Sequence, residues 1–478
     1  MRGKFYITTT LPYVNAEPHI GFGTEIIRAD IIARFHELSG EEVFFNTGTD
    51  EHGQKIYCKA LLAQMEPQVY CDLWAEKFKE LKVPLGLREK INFIRTTDPH
   101  HVEAVKEFWR RSREAGDIYK KIYQGKYCVG CEMDKLDSEL VNGRCPEHPN
   151  MELETREEEN YFFRFSKYQD ALLKLYDERT DFIIPPSRQK EIKAFVSHGL
   201  NDFSISRLAS KMPWGIPVPD DPDHVMYVWF DALVNYISVL GWPEDERRFF
   251  GWWAETGGAV QYCGKDNLRH QSAMWQAMLM SVGLPPSKHI IVEGFISNNG
   301  QKMSKSLGNV VNPIEVAKEF GTDALRYHIA REFSDFEDSD FTWEKFKEAY
   351  NANLANGLGN LTSRVMKMAE DNLNGAITPI SPVLPEEYVN YLKSFNINKA
   401  ADFIWGRIKD LDGRIQFEQP FKIVKTDQAR GKEVISGLVV ELALIAEMLL
   451  PIMPKTAGKI KELIMANKAP DSPLFIRK

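Results

Sequence analysis

Apolar and β-branched residues crowd together at Phe5, Tyr6, Ile7, Thr8, Thr9 and Thr10, a mixture that predicts a strand over residues 5–10. Beyond it the period changes: Ile27, Ile31 and Phe35 recur four residues apart, which predicts a helix that Gly40 ends. Between them lies the loop Pro18-His19-Ile20-Gly21-Phe22-Gly23. A tight turn at the carboxyl end of a parallel strand, opening a helix, is where open α/β sheets bind nucleotides, because unpaired N–H groups and the helix dipole favour phosphate. Gly21 and Gly23 would let a ligand lie against bare backbone, and His19 would supply a donor. Alone, such a turn is more often a plain connection.

The alternation of strand, glycine loop and helix then repeats. Residues 42–46 predict a second strand, followed by Thr47-Gly48-Thr49-Asp50-Glu51-His52-Gly53, and residues 91–94 a third. Asp98-Pro99 opens a helix through Val102, Val105 and Trp109 that Gly116 ends. Residues 119–224 change texture to short strands, turns and metal-type side chains, so they are expected as an insertion. Strands are predicted again at 226–229, at 260–263 before Gly264-Lys265-Asp266, and at 290–292. The expected fold class is α/β, a doubly wound, Rossmann-like parallel sheet. Its halves are placed at 1–118 and 225–296, with a zinc knuckle at about 126–150 inside the insertion and a further region at 297–345. From Phe341 onward long helical patterns run over 343–371, 400–415 and 431–449, with one more helix after Pro454, while Pro379, Pro382 and Pro385 interrupt them. An all-α bundle over 346–478 follows.

Length and composition fit this plan. A chain of 478 residues is too long for one simple core, and 43% hydrophobic with 27% charged residues is ordinary for a globular protein. No opening apolar run resembles a secretory signal, and the greasiest stretch, 434–453, is interrupted by Glu441 and Glu447, so no membrane span is expected. Six cysteines, three of them grouped with a histidine, point to a reducing, cytoplasmic compartment and a metal site. The net charge of −8 argues mildly against a general nucleic-acid binder, although a local basic groove can coexist with it.

Cys128-x-x-Cys131 and Cys145-x-x-His148 form two chelating pairs joined by a loop carrying Asn142-Gly143. Thiolates and an imidazole at this spacing match one tetrahedral structural Zn2+, whose filled positions leave no activated water. Lys302-Met303-Ser304-Lys305-Ser306, between Gly300 and Gly308, sets two ammonium groups on a small-residue loop. Mobile cations are useful where a triphosphate gains charge under attack, although most K-x-x-K loops are merely solvated.

The words PHIGFG and KMSKS resemble the two signatures of the class I aminoacyl-tRNA synthetases. NTGTDEHG, YCVGC, NYFFRFS, WGIPVP, YVWFDALVNYIS and NLTSR resemble, within that class, the methionyl-tRNA synthetase family of single-knuckle type, and the likeness runs from about residue 5 to the chain end. The resemblance implies that His19 and Gly21 contact ATP, with Gly264 and Asp266 near its ribose, and that His19, Lys302 and Lys305 act on the reacting phosphates. It implies that Asp50 pairs with the methionine ammonium and that Leu11, Tyr13, Trp229, Ala232 and Tyr236, with Gln271, line the pocket; aromatic edges suit a polarisable thioether. In the bundle, Asn360 and Arg364 one turn apart, together with Phe421, would read the anticodon. The implied partners are L-methionine, tRNA(Met) and ATP with Mg2+, and the implied reaction is methionine activation followed by transfer to the 3′-terminal adenosine.

Departures from the family pattern stand at Phe22, where a second histidine is usual, at His270-Gln271 in place of Phe-His, and at Phe421 in place of a tryptophan. Gln271 or His270 is expected to supply the donor that Phe22 lacks. The insertion is too short for the editing domain of the leucine, isoleucine and valine relatives. The chain stops with Pro473-Leu474-Phe475 soon after the last helix, from which no appended RNA-binding barrel and a monomer are expected. Two other readings remain: a catalytically impaired RNA-binding paralogue, and a small-molecule adenylyltransferase sharing the His-x-Gly turn.

Overall fold

The structure, a computed structural model, describes residues 3–15, 17–131, 133–135, 140–303, 308–375 and 382–478. Among them a six-stranded parallel sheet is built from β1 (Lys4–Thr8), β2 (Glu42–Thr49), β3 (Asn92–Arg95), β4 (Ile183–Ile184), β5 (Val260–Gly264) and β6 (His289–Glu293). The spatial order is β3-β2-β1-β5-β6-β4, with Thr8 opposite Asn46 on one side and Gln261 on the other. Both faces are covered, as a parallel sheet requires. Phe5 and Ile7 point into the core shared with the first helix, Ile20–Leu38, while Tyr6 points into the opposite core with Phe163, Phe230 and Trp275. Strand order reverses between β1 and β5, so the loops leaving the carboxyl ends of β2, β1 and β5 open one crevice, where such sheets take their ligands.

Residues 226–229, expected as a sheet strand, instead end an antiparallel strand, Asp221–Met226, and enter a short helix, Val228–Ala232. A run of four apolar residues fits either element, and here packing against the opposite core decides it. The stretch 119–224 also divides. Ile118–Cys128 and Glu154–Phe163 form a long antiparallel ribbon carrying the knuckle, whereas Ile183–Ile184 returns to pair in parallel with Ile290 and Ile291 as the sheet's edge.

The bundle follows. Its first long helical stretch, expected as one helix, runs as Trp343–Ala349, a π-helical segment Tyr350–Gly359, and Asn360–Asn372. Ile397–Glu418, Gln428–Leu449 and Pro454–Ala466 pack beside it, with Glu386–Lys393 and Pro420–Thr426 as short additions. Pro385 does break the chain, standing just before Glu386–Lys393; Pro379 lies outside the described residues. Sheet and bundle share one continuous core, crossed by buried arginines. Arg326 donates to the carbonyls of Leu85, Pro451 and Ile452 and pairs with Asp30 at 2.8 Å; Arg28 donates to the carbonyls of Phe333, Ser334 and Asp335 and pairs with Glu293. An unpaired buried guanidinium would be severely destabilising, so these contacts fix the first helix against the bundle.

Candidate active site and metal centre

His19 is the N-cap of the first helix: its extended backbone (φ −120°, ψ 168°) sets Nδ1 to accept from Gly21 N–H at 3.1 Å. A Cβ at Gly21 would lie 2.8 Å from that imidazole, so glycine is required by the ring above it. A Cβ built on Gly23 would lie 3.3 Å from the Pro313 ring, and Ile20 N–H donates to Val311 O at 2.9 Å; the segment following the Lys302 loop therefore packs on the helix amino terminus. Lys302, exposed on the short strand Gln301–Lys302, holds its ammonium 5.6 Å from the Phe295 ring. The same ring stands 4.4 Å from Lys265 Nζ and 3.8 Å from a Cβ built on Gly264. That brings Lys302 beside the Gly264–Asp266 turn. A Cβ on Gly264 would fall 2.6 Å from Asp266 Oδ1, so a side chain there would displace that carboxylate. Asp266 keeps accessible surface but sits among enough protein that desolvation pushes its carboxyl up, and the Lys302 ammonium opposes that. Lys305, with Ser304 and Ser306, lies outside the described residues.

Asp50 follows β2 directly. Its backbone bridges Tyr13, with Asp50 N–H donating to Pro12 O at 3.0 Å and Val14 N–H to Asp50 O at 3.3 Å, so this buried carboxylate and the Leu11–Tyr13 loop are held together. Tyr13 meets Trp229 edge-on at 6.3 Å, and Trp229 stacks on His270 at 3.9 Å. Ala232 lies one turn past Trp229, and Tyr236 lies beyond it, buried. Tyr13, Asp50 and Trp229 are thus brought together, with Leu11 and Ala232 close to them along the chain. Gln271 serves this group from behind: its Nε2 donates to the Tyr236 hydroxyl and its Oε1 accepts from Gln261, while Tyr236 O accepts from Tyr6 at 2.7 Å.

Phe22 packs edge-on against Phe78 at 5.5 Å on the sheet face opposite Tyr236. Gln271, committed to Tyr236 and Gln261, is therefore turned away from Phe22, which corrects the expectation that it supplies the missing donor. His270 is buried with both ring nitrogens lacking a protein partner, and burial, with Arg269 and Lys135 assisting, pushes it down to about 3, so it is neutral.

Sequence reasoning missed a polar cluster that begins two residues past Asp50. His52 Nδ1 donates to Asp231 Oδ2 at 2.6 Å and His101 Nε2 to Asp231 Oδ1 at 2.8 Å, with His101 Nδ1 accepting from Ser238 Oγ at 2.8 Å. Burial alone would raise the Asp231 carboxyl, but the two imidazoles outweigh it and hold it below the usual range. Glu25 was also missed: its Oε1 accepts from Thr10 N–H and Oγ1–H, both at 2.6 Å, beneath the crevice. His52 and Asp231 lie inside motif words already singled out, which was the available signal; Glu25, on a helix buried nearly all round, gave none.

Ligand atoms of Cys128, Cys131, Cys145 and His148 lie within 4.8 Å of one another, the sole such Cys/His group among the described residues. Cys131 Sγ is 3.4 Å from Cys145 Sγ and 3.2 Å from His148 Nδ1, and Cys128 Sγ is 3.8 Å from that nitrogen. Bond lengths of about 2.3 Å to sulfur and about 2.0 Å to nitrogen give tetrahedral edges of roughly 3.5–3.8 Å, so the donor set fits a four-coordinate ion.

In the bundle, Asn360 is exposed at the start of its helix and Arg364, one turn on, pairs with Asp412. Asp412 also accepts from Gln416 at 3.0 Å, near the end of Ile397–Glu418. Left-handed Gln419 (φ 49°) and Pro420 then turn the chain so that Phe421, 44% exposed, lies just past that end. Phe417, which the sequence did not single out, is 90% exposed one turn earlier. No helix among the described residues is long and apolar enough to cross a membrane.

Comparison with known proteins agrees with this geometry. Residues 5–152 and 148–366 match the family described as tRNA synthetases class I (M). The methionine–tRNA ligase of Thermotoga maritima is 41% identical, the alignment covering 98% of this chain and 76% of that protein; that of Thermosynechococcus vestitus is also 41% identical, covering 96% and 90%. Mycobacterium tuberculosis methionyl-tRNA synthetase in complex with methionyl-adenylate superposes with a TM-score of 0.90 at 34% identity, over 99% of each chain. The free-state apo form of that enzyme gives 0.83. With nucleotide-type turn, metal knuckle and helical bundle matched together along nearly its whole length, the chain belongs to the class I (M) tRNA synthetases.

Proposed function

We propose that this chain joins methionine to tRNA(Met) in two steps within one crevice. The methionine carboxylate attacks the α-phosphate of ATP, supplied as its Mg2+ complex, giving methionyl-adenylate and pyrophosphate. The 2′-hydroxyl of the terminal adenosine then takes the acyl group and AMP leaves. The observation that carries this reading is the convergence of three neighbouring strand ends: Asp50 after β2, His19 after β1 and the Gly264–Asp266 turn after β5.

The groups then divide the work. His19, whose ring caps the Gly21 N–H, and the first turn of the helix receive phosphate at a positive helix end. Lys302 and Lys305 stabilise the charge that grows on the transferring phosphate and leaving pyrophosphate. Gly264 lets the ribose approach near Asp266. Asp50 pairs with the substrate ammonium, and Leu11, Tyr13, Trp229, Ala232 and Tyr236 enclose the thioether, Gln271 fixing the Tyr236 ring. Asn360, Arg364 and Phe421 receive anticodon bases. Cys128, Cys131, Cys145 and His148 would hold one structural Zn2+, which supplies folding free energy to a segment without a core of its own. The enzyme works as a cytoplasmic monomer.

Methionine-dependent exchange of pyrophosphate into ATP tests the activity, and its absence would sink the proposal. The catalytically impaired alternative gains no support from the relatives, which are named as ligases or synthetases. Light scattering at micromolar concentration checks the single-chain mass.

A further inference from the structure

Lys55 has no place in the scheme above, yet it touches both the knuckle and the pocket. It stands in the first turn of the helix Gln54–Leu62, which begins from Gly53 (φ +109°) directly after the Asp50 loop. A cation there opposes the helix dipole, so local helix energetics do not account for its presence. Its contacts do. Lys55 Nζ donates to the Gly130 carbonyl at 2.7 Å and lies 5.6 Å from the centroid of the Tyr13 ring.

Each end of that link is itself constrained. Gly130 belongs to the Cys128–Cys131 turn, and a Cβ on it would fall 2.4 Å from the His148 ring, so the ring occupies the space a side chain would need. The position of the Gly130 carbonyl therefore depends on the same turn and the same imidazole that form the donor set. At the other end, Tyr13 is bridged through backbone to Asp50 and meets Trp229 edge-on. A continuous path runs from His148 through Gly130, Lys55 and Tyr13 to the groups that enclose the amino acid.

We propose that Lys55 is a positioning residue that couples metal occupancy of the knuckle to methionine affinity, an inference that rests on the methionine pocket assigned above. Metal-loaded, the turn presents the Gly130 carbonyl to Lys55, whose ammonium then holds Tyr13 in place against Asp50 and Trp229. Without metal the turn loses its constraint, Lys55 loses its acceptor, and the pocket wall loosens. Because linkage is reciprocal, bound methionine must tighten zinc retention by the factor by which zinc tightens methionine.

The test is a binding cycle on the full chain, scored without turnover. Methionine affinity is titrated on zinc-loaded and chelator-stripped protein, and zinc affinity is titrated against a competing chelator with and without saturating methionine. About a tenfold coupling is expected in each direction. Lys55→Met should reduce it to within about twofold while keeping one zinc per chain and its ATP affinity, and Lys55→Arg, which still donates and lies over a ring, should restore most of it. Should Lys55→Met fail to fold, Tyr13→Leu removes the other end of the link and must also abolish the coupling. Independent zinc and methionine binding in the parent chain, or coupling undiminished in Lys55→Met, overturns the inference alone. Failure of the parent chain to bind methionine at all overturns both this and the functional reading.

Discussion

The proposed methionine wall and the far end of the bundle are built on opposite principles. The polar side chains that follow Asp50 are committed. Glu51 receives Arg95 at 2.7 and 2.9 Å, Thr49 at 2.6 Å and Thr97 at 2.5 Å, and His52 is tied to Asp231 across the crevice. The two residues that follow Asp50 are thus pinned, Glu51 to the first half of the sheet domain and His52 to the second. At the bundle end the Phe417 ring stands bare, Phe421 is half-exposed, and the Arg364–Asp412 pair is only partly buried. Telling one small side chain from another is worth only about 1–3 kcal/mol per methylene, so it needs walls that cannot yield. A base brings its own stacking surface, so its receptor can wait open.

The contrast breaks first at Asp50. Asp50→Ala removes a buried charge partner, and kcat/KM for methionine in pyrophosphate exchange should fall by about 10³-fold, roughly 4 kcal/mol of transition-state stabilisation. KM for ATP should stay within about threefold. If ATP and methionine suffer equally, the carboxylate does not hold the ammonium.

Asp231→Asn is the next step down. The side chain keeps its shape, but its amide nitrogen would face an imidazole N–H, leaving one buried donor unpaired at a cost of about 1–3 kcal/mol. KM for methionine should rise about 10- to 100-fold with a smaller change in kcat, because the defect misplaces Asp50 and leaves the phosphate groups untouched. A loss confined to kcat would show that the two imidazoles do something other than aim the loop.

These two residues also show how far the sequence could be read. β1, β2, β5 and β6 were legible because parallel strands buried on both faces are short unbroken apolar runs between glycine loops. Asp50 was legible through its motif. The polar cluster beside it was not, since His52 and Asp231 meet across 179 positions and neither lies in a periodic pattern. Ile183–Ile184 is too short to carry a period at all, and Tyr350–Gly359 winds as a π-helix where the spacing predicted a plain one.

His270 sharpens the comparison through pH. Its buried imidazole stacks on Trp229 and burial holds it down at about 3, whereas in the unfolded chain it titrates at about 6.5. Between those values the unfolded chain takes a proton that the folded one refuses, so stability is present above about 6.5 and is lost as pH falls, by up to ~1.4 kcal/mol per unit. His270→Phe should delete that slope. At pH ~5 it should spare about 2 kcal/mol relative to the parent, read from paired melts at pH ~5 and ~7.5. His328, also held at about 3 by burial, remains in both chains and cancels. Parallel melting curves would mean that water reaches the pocket wall.

The smallest effect is expected at the open end. Phe417 is the most exposed large ring of the bundle, in the last turn of Ile397–Glu418 and four residues before Phe421. A bare ring there has no folding role to lose, so Phe417→Ala should leave the melting temperature within about 1–2 °C. If the ring receives a base, the same change should weaken tRNA(Met) binding about five- to tenfold, at the low end of the ~1–3 kcal/mol that base–aromatic stacking supplies. Phe421→Ala should do as much or more, and methionine activation without tRNA should be untouched by either. Unequal behaviour is informative: tRNA affinity lost only at Phe421 would confine recognition to the ring adjoining Pro420 and leave Phe417 as plain surface. Loss in both, with a steeper effect in the double variant, would establish a platform of two rings, the open counterpart of the packed aromatic wall beside Asp50.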